Sequence, residues 1–219
     1  MDTGECTKKI NWHAIPKREA NAEDFLNPLF WGQPGIGKSS IARSIADALE
    51  VDFAWISLTD IDPADMGGFP LVIEEYNPAT KQLEKVMKRC RPHYLKQDGK
   101  GILCIEEIGQ ATTMCKNILA QLVHDRVLGD HQLGVGWQII GCTNDIKDKA
   151  GTSPMPTQLL DRFDHMEIEL DVEDSIKYML EHNYVPELPA YFRFRPEYLA
   201  KLDAKQKASP SPRSWAKVN

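Results

Sequence analysis

From residue 28 onward the apolar positions of this chain alternate between short continuous runs and helical stripes, after a polar opening stretch. Pro28-Leu29-Phe30-Trp31 is one such run, followed by a glycine-rich turn. Ile41, Ile45 and Leu49 then recur at i, i+4 and i+8, which puts them on one helical face. Val51 to Ser57 alternates and is rich in strand formers, so it predicts a second strand. Asp60 to Met66 predicts a short helix ended by Gly67-Gly68. Residues 69–88 predict a hairpin, with an apolar Pro70-Leu71-Val72-Ile73, a turn near Asn77-Pro78 and a return from Leu83 to Met87.

Gly101 to Ile105 is a short unbroken apolar run, the pattern of a strand covered on both faces. Ala111, Cys115, Ile118, Leu119, Leu122 and Val123 mark an amphipathic helix after it. Trp137 to Cys142 predicts another buried strand, and Met166 to Leu170 a further one. Strands and helices alternating at these intervals predict a doubly wound α/β domain with a mostly parallel sheet. From Asp171 the texture becomes helical: Val172, Ile176, Met179 and Leu180 mark one helix, and Pro196 to Leu202 starts another. The expected organisation is an N-terminal segment over 1–27, an α/β domain over 28–170 and a small helical unit over 171–219, which reads as unfinished at its end.

Composition changes this picture little. The 219 residues are 42% hydrophobic and 26% charged, ordinary for a globular protein. No run approaches the ~20 apolar residues that span a bilayer, so no membrane association is expected. The acidic start, Met1-Asp2-Thr3-Gly4-Glu5, has no apolar segment behind it and does not read as a secretory signal. Five cysteines without a C-x-x-C pair suit a reducing compartment, so a cytoplasmic location is expected. Cys104 and Cys142 lie inside strand-like runs and read as small buried hydrophobes. A net charge of −6 gives no support to nucleic acid as the main partner and favours protein targets.

The chemistry concentrates in Gly32-Gln33-Pro34-Gly35-Ile36-Gly37-Lys38-Ser39, which fits G-x-x-x-x-G-K-[ST] at every fixed position, with Ser40 beyond it. Glycines let consecutive backbone N–H groups turn toward phosphate oxygens, and the following helix adds its positive N-terminal end. Lys38 has the reach for β- and γ-phosphates, and the Ser39 hydroxyl can ligate Mg²⁺. Glu106 and Glu107 close a buried strand, where the ligand crevice of an open α/β sheet lies. One carboxylate there can hold the Mg²⁺ shell, and its neighbour can deprotonate an attacking water. Asn144 also ends a buried run, and suits either a bond to that water or the γ-phosphate, or an ordinary turn. Arg162 suits either an arginine finger or a surface ion pair with Asp161 or Asp164. Ser211 and Pro212 open a helix as cap and first residue, with Arg213 in position to reach back toward a bound anion.

Together these residues resemble the AAA+ superfamily of P-loop NTPases, and within it the MoxR-like ATPases, over residues 28–219. Gly32 to Ser39 is similar to Walker A, and Ile102 to Glu107 to Walker B, with Glu106 where the family usually has Asp. Glu107 falls at the catalytic glutamate, Asn144 at sensor 1, Arg162 at the arginine finger and Arg213 at sensor 2. The Ser-Pro-Arg-Ser-Trp run at 211–215 is close to a pattern of MoxR-like and phage-encoded relatives, and the hairpin is similar to that clade's insertion in helix 2. The resemblance implies an ATP- and Mg²⁺-dependent ring, commonly a hexamer, that remodels protein clients. It also implies a partner with a von Willebrand factor A domain. The other readings are a nucleic-acid motor, such as a helicase or helicase loader, and an ATP-gated scaffold with weak hydrolysis.

Overall fold

The computed structural model describes residues 26–145, 153–200 and 210–218 of the chain. Five parallel strands form its central sheet in the order β2-β5-β8-β1-β9. They are β1 (Pro28–Trp31), β2 (Asp52–Ser57), β5 (Gly101–Glu106), β8 (Trp137–Thr143) and β9 (Asp164–Glu167). Two antiparallel ribbons stand apart from that sheet: β3 (Pro70–Asn77) with β4 (Gln82–Arg89), and β6 (Val127–Leu128) with β7 (His131–Gln132). The doubly wound, mostly parallel α/β architecture expected from the sequence is what the chain adopts.

The period of two along each central strand sorts side chains into two layers. Phe30, Ile102, Cys104, Ile140 and Cys142 point to one side, where α1 (Lys38–Ala48) lies. Leu29, Leu103, Ile105, Trp137 and Ile139 point to the other, where they meet α2 (Thr113–Asp125) and Leu159 of α3 (Thr157–Leu160). The face that α1 buries is centred on Ala42 and Ala46, with Ile41 and Ile45 only partly covered. Small residues at the contact let the helix sit close to the sheet. The thiols of Cys104 and Cys142 meet at 3.8 Å in that layer, and their mutual hydrogen bond together with burial holds Cys104 far above the usual thiol range. Thr112 caps α2 by accepting from the Cys115 backbone N–H at 3.2 Å, a contribution of about 1 kcal/mol.

A third apolar cluster lies outside both layers. Ile176 and Met179 of α4 (Val172–Glu181) pack with Leu188 and Phe192 of α5 (Glu187–Phe194) and with Leu199. Trp215 of α6 (Pro212–Trp215) leans on this cluster and donates its indole N–H to the Tyr198 carbonyl at 2.9 Å. No helix among the described residues is long and apolar enough to cross a membrane.

Three local expectations need correction. Asp60 to Met66 forms successive turns instead of a helix. Asp62 accepts the Ala64 N–H through its side chain, while the carbonyls of Ala64 and Met66 are taken by Arg89 and Tyr94 from distant parts of the chain. The last strand begins at Asp164, two residues before the apolar run suggested. Pro196 starts only a three-residue 3₁₀ turn over Pro196–Tyr198, and the long helix of that region is α5, which precedes it.

Candidate active site

The phosphate loop leaves β1 at Trp31 and enters α1 at Lys38. Gly35 (φ 81°) and Gly37 (φ 101°) both hold left-handed backbone, which a side-chain-bearing residue adopts only at a cost. Gly37 is the N-cap of α1 and, as a glycine, offers no capping side chain. A helix end of this kind is a ready anion site. Lys38 is buried to 9% exposure despite its charge. Its ammonium donates to the carbonyls of Gly32 (2.7 Å) and Gln33 (3.0 Å) and to Oδ1 of Asn144 (2.8 Å). Asn144, just past the end of β8, and Lys38, at the start of α1, therefore meet although 106 positions apart.

Ser39, Ser40 and Glu106 line one open cleft with Arg43, Phe53 and Trp55. The Arg43 guanidinium lies 4.4 Å above the Phe53 ring, and both residues line that cleft. Glu107 follows the last residue of β5 in a left-handed conformation (φ 57°, ψ 32°), sparse for a residue that carries a side chain. Its carboxylate accepts from Ser57 Oγ at 3.2 Å and from Thr59 Oγ1. Ser57 ends β2 next door, so the two hydroxyls hold the carboxylate at the sheet's C-terminal rim. Sequence reasoning missed Ser57 and Thr59, because a serine at a strand's end and a threonine just past it carry no signal of their own.

Arg213 arrives from the far end of the chain. Ser211 caps α6 through a reciprocal pair with Ser214, as the sequence suggested, and the Arg213 backbone N–H donates to the Gly35 carbonyl at 3.3 Å. A Cβ on Gly35 would stand 3.0 Å from Ser211 Oγ, so this glycine permits the approach of α6 to the loop. The Arg213 side chain itself is exposed. Arg162 is not gathered with these groups: its guanidinium donates to the Ala120 carbonyl on α2.

The donor set fits a magnesium–nucleotide. A left-handed glycine loop, a helix start without a side-chain cap, a buried ammonium, and a serine and a glutamate lining one cleft answer to a polyphosphate and its cation. Gly32 to Ser40 would hold the phosphates, and Ser39 with Glu106 would hold the Mg²⁺ shell.

Comparison with known proteins agrees with this architecture. The family described as ATPase family associated with various cellular activities (AAA) matches residues 28–170, more than half the chain. An ATPase candidate from Cytophaga hutchinsonii is 19% identical, with a TM-score of 0.50, and the match covers 80% of this chain and 54% of that one. The RuvB Holliday junction branch migration motor of Thermotoga maritima is 20% identical at a TM-score of 0.44, covering 69% of this chain and 40% of that one. This chain thus spans about half the length of such structures or less. No curated protein sequence matches it.

Proposed function

We propose, from the premise that this chain belongs to the AAA ATPase family, that it hydrolyses ATP at the rim of its sheet and couples turnover to the remodelling of protein clients. The observation that carries the reading is the convergence of Lys38 and Asn144 beside a glycine loop, with Ser39 and Glu106 on one cleft. Lys38 counters charge on the β- and γ-phosphates, and Asn144 can exchange its bond to Lys38 for one to the attacking water or the γ-phosphate. Glu107 takes the proton of that water, in a carboxylate position defined by Ser57 and Thr59. When bound, Mg²⁺ supplies neutralisation of the phosphate charge.

In this reading residues 171–219 act as a lid that reports nucleotide through the α6–loop contact, and Arg213 faces the phosphates of its own subunit. Arg162 serves a neighbouring subunit in a ring, for which a hexamer is the family's common form. A protein client is favoured by the net charge of −6 and by an exposed β3–β4 ribbon that carries Glu74, Glu75 and Tyr76. A partner with a von Willebrand factor A domain belongs to the MoxR-like form of the proposal.

The test is phosphate release from Mg-ATP by wild type and Glu107→Gln. Glu107→Gln should retain nucleotide binding and lose turnover by about 10²-fold or more. Equal release by both proteins would remove Glu107 from the chemistry. Mixing Arg162→Ala with Glu107→Gln subunits should restore part of the activity if Arg162 works across a subunit boundary.

A further inference from the structure

Lys116 lies on α2 among apolar neighbours, and only 1% of it is exposed. Burial pushes its ammonium below the ordinary lysine range. Its Nζ donates to the Gly109 carbonyl (2.9 Å), to the Ser153 carbonyl (3.1 Å) and to Ser153 Oγ (2.6 Å). Such a group is costly to bury, and charge-assisted hydrogen bonds are what offset that cost.

The two segments it ties together are those that carry the candidate chemistry. Gly109 sits in the 3₁₀ turn Ile108–Gln110, whose N-cap is the left-handed Glu107. Ser153 precedes α3, which leads into Arg162. The junction is doubled by the Ser153 N–H, which donates to the same Gly109 carbonyl at 2.9 Å. The Gly109 N–H in turn donates to Thr143 Oγ1 at 3.1 Å, one residue before Asn144. One turn further along α2, the Ala120 carbonyl accepts from Arg162. A cavity of about 40 Å³ separates the pieces, lined by Gly109, Asn144, Ser153 and Leu160 among others. Ile108, Leu159 and Phe163 pack in one apolar cluster beside it, and the Lys116 bonds add a directional polar tie to that packing.

We infer that Lys116 is a positioning residue that fixes the Glu107 turn to the stretch from Ser153 to Arg162, so that a subunit's own glutamate and its neighbour-directed arginine move as one unit. The coupling rests on the ATPase reading for its consequence, but its mechanical part does not. Lys116→Met keeps the side chain's length and removes the donors. Ser153→Ala removes one acceptor without altering the core, and keeps the question open to experiment should the first variant misfold.

The experiment measures amide hydrogen exchange on the full chain, with steady-state ATP turnover alongside. In Lys116→Met, exchange at Gly109 and Gln110 and at Ser153 should rise together by about tenfold, with the amides near Leu122 unchanged. Turnover should fall by about tenfold while KM for ATP stays within about twofold. Lys116→Gln, which retains a donor, should recover part of both, and Ser153→Ala should move both in the same direction by less. Loosening of only one segment, or unchanged exchange in both, would overturn the coupling. Loosening of both with unchanged turnover would overturn the positioning role. A wild-type protein that neither binds nor hydrolyses ATP would remove the ATPase reading, and the exchange data would still decide whether the tie exists.

Discussion

Gly35→Ala isolates the contact between the phosphate loop and α6. Alanine at φ 81° costs about 1–2 kcal/mol in left-handed backbone. Its Cβ would also meet Ser211 Oγ at 3.0 Å and Ser211 Cβ at 3.2 Å. The hydroxyl can rotate away, but the Cβ cannot, so the start of α6 must yield by a few tenths of an ångström. Where the free loop relaxes and bound nucleotide restores this backbone, strain of about 2 kcal/mol corresponds to about 30-fold weaker Mg-ATP binding, at 1.4 kcal/mol per tenfold. Calorimetric titration of wild type, Gly35→Ala, Ser211→Gly and the double variant separates the two parts. Ser211→Gly alone should change affinity little, since glycine at an N-cap costs only a few tenths of a kcal/mol. In the Gly35→Ala background it should recover the contact part and leave the backbone part. Affinity within twofold of wild type for Gly35→Ala would refute the reasoning. So would full recovery in the double variant, because the backbone cost would then be absent.

Two further predictions concern stability. Gly68→Ala would place a Cβ 1.7 Å from the Cys90 carbonyl oxygen at φ 91°, so urea denaturation should show a loss of at least ~3 kcal/mol. Tyr94, whose hydroxyl donates to the Met66 carbonyl, is held above the usual tyrosine range, first by burial and then by the charge of Cys115. The unfolded chain therefore loses this proton first, so the tyrosine's contribution is complete below pH ~10 and declines as pH rises above it. Tyr94→Phe should cost about 1 kcal/mol at pH 8, and its deficit should shrink by pH 11. A deficit that stays constant between those pH values would refute the assignment.

Much of this site is legible in the chain because its parts are local. Gly32 to Ser39 is contiguous, and the runs that place Glu106 and Asn144 at strand ends carry their own burial signal. What escaped is set by tertiary partners. Lys116 occupies a polar letter in an amphipathic stripe, yet it is as buried as its apolar neighbours, because the carbonyls of Gly109 and Ser153 come to it. Ser57 and Thr59 acquire meaning only once β2 lies beside β5 and brings Glu107 within reach. The turns over 60–66 read as a helix because Arg89 and Tyr94, which occupy their carbonyls, lie more than twenty positions away. In α5, Pro189 obscured the periodicity, although the third position of a helix tolerates proline's missing donor. The cap and the family resemblance both point to Arg213, but its approach to Gly35 depends on a glycine 178 positions earlier in the chain.

The β3–β4 ribbon has a consequence for how this scaffold can diverge. Its root is pinned: Arg89 donates through its backbone to Asp130, and His131 meets the Arg89 carbonyl at 2.9 Å. Its outward row of Val72, Met87 and Leu83 is 65–69% exposed, against 37–45% for Leu71 and Ile73 on the opposite row. Adding a residue pair to each strand at the tip would extend the arm's reach by about 7 Å and leave both rows in place. Adding a single residue to each would swap the rows beyond the insertion. Even steps in length are thus the neutral ones, and an odd step presents a different surface to whatever the arm meets.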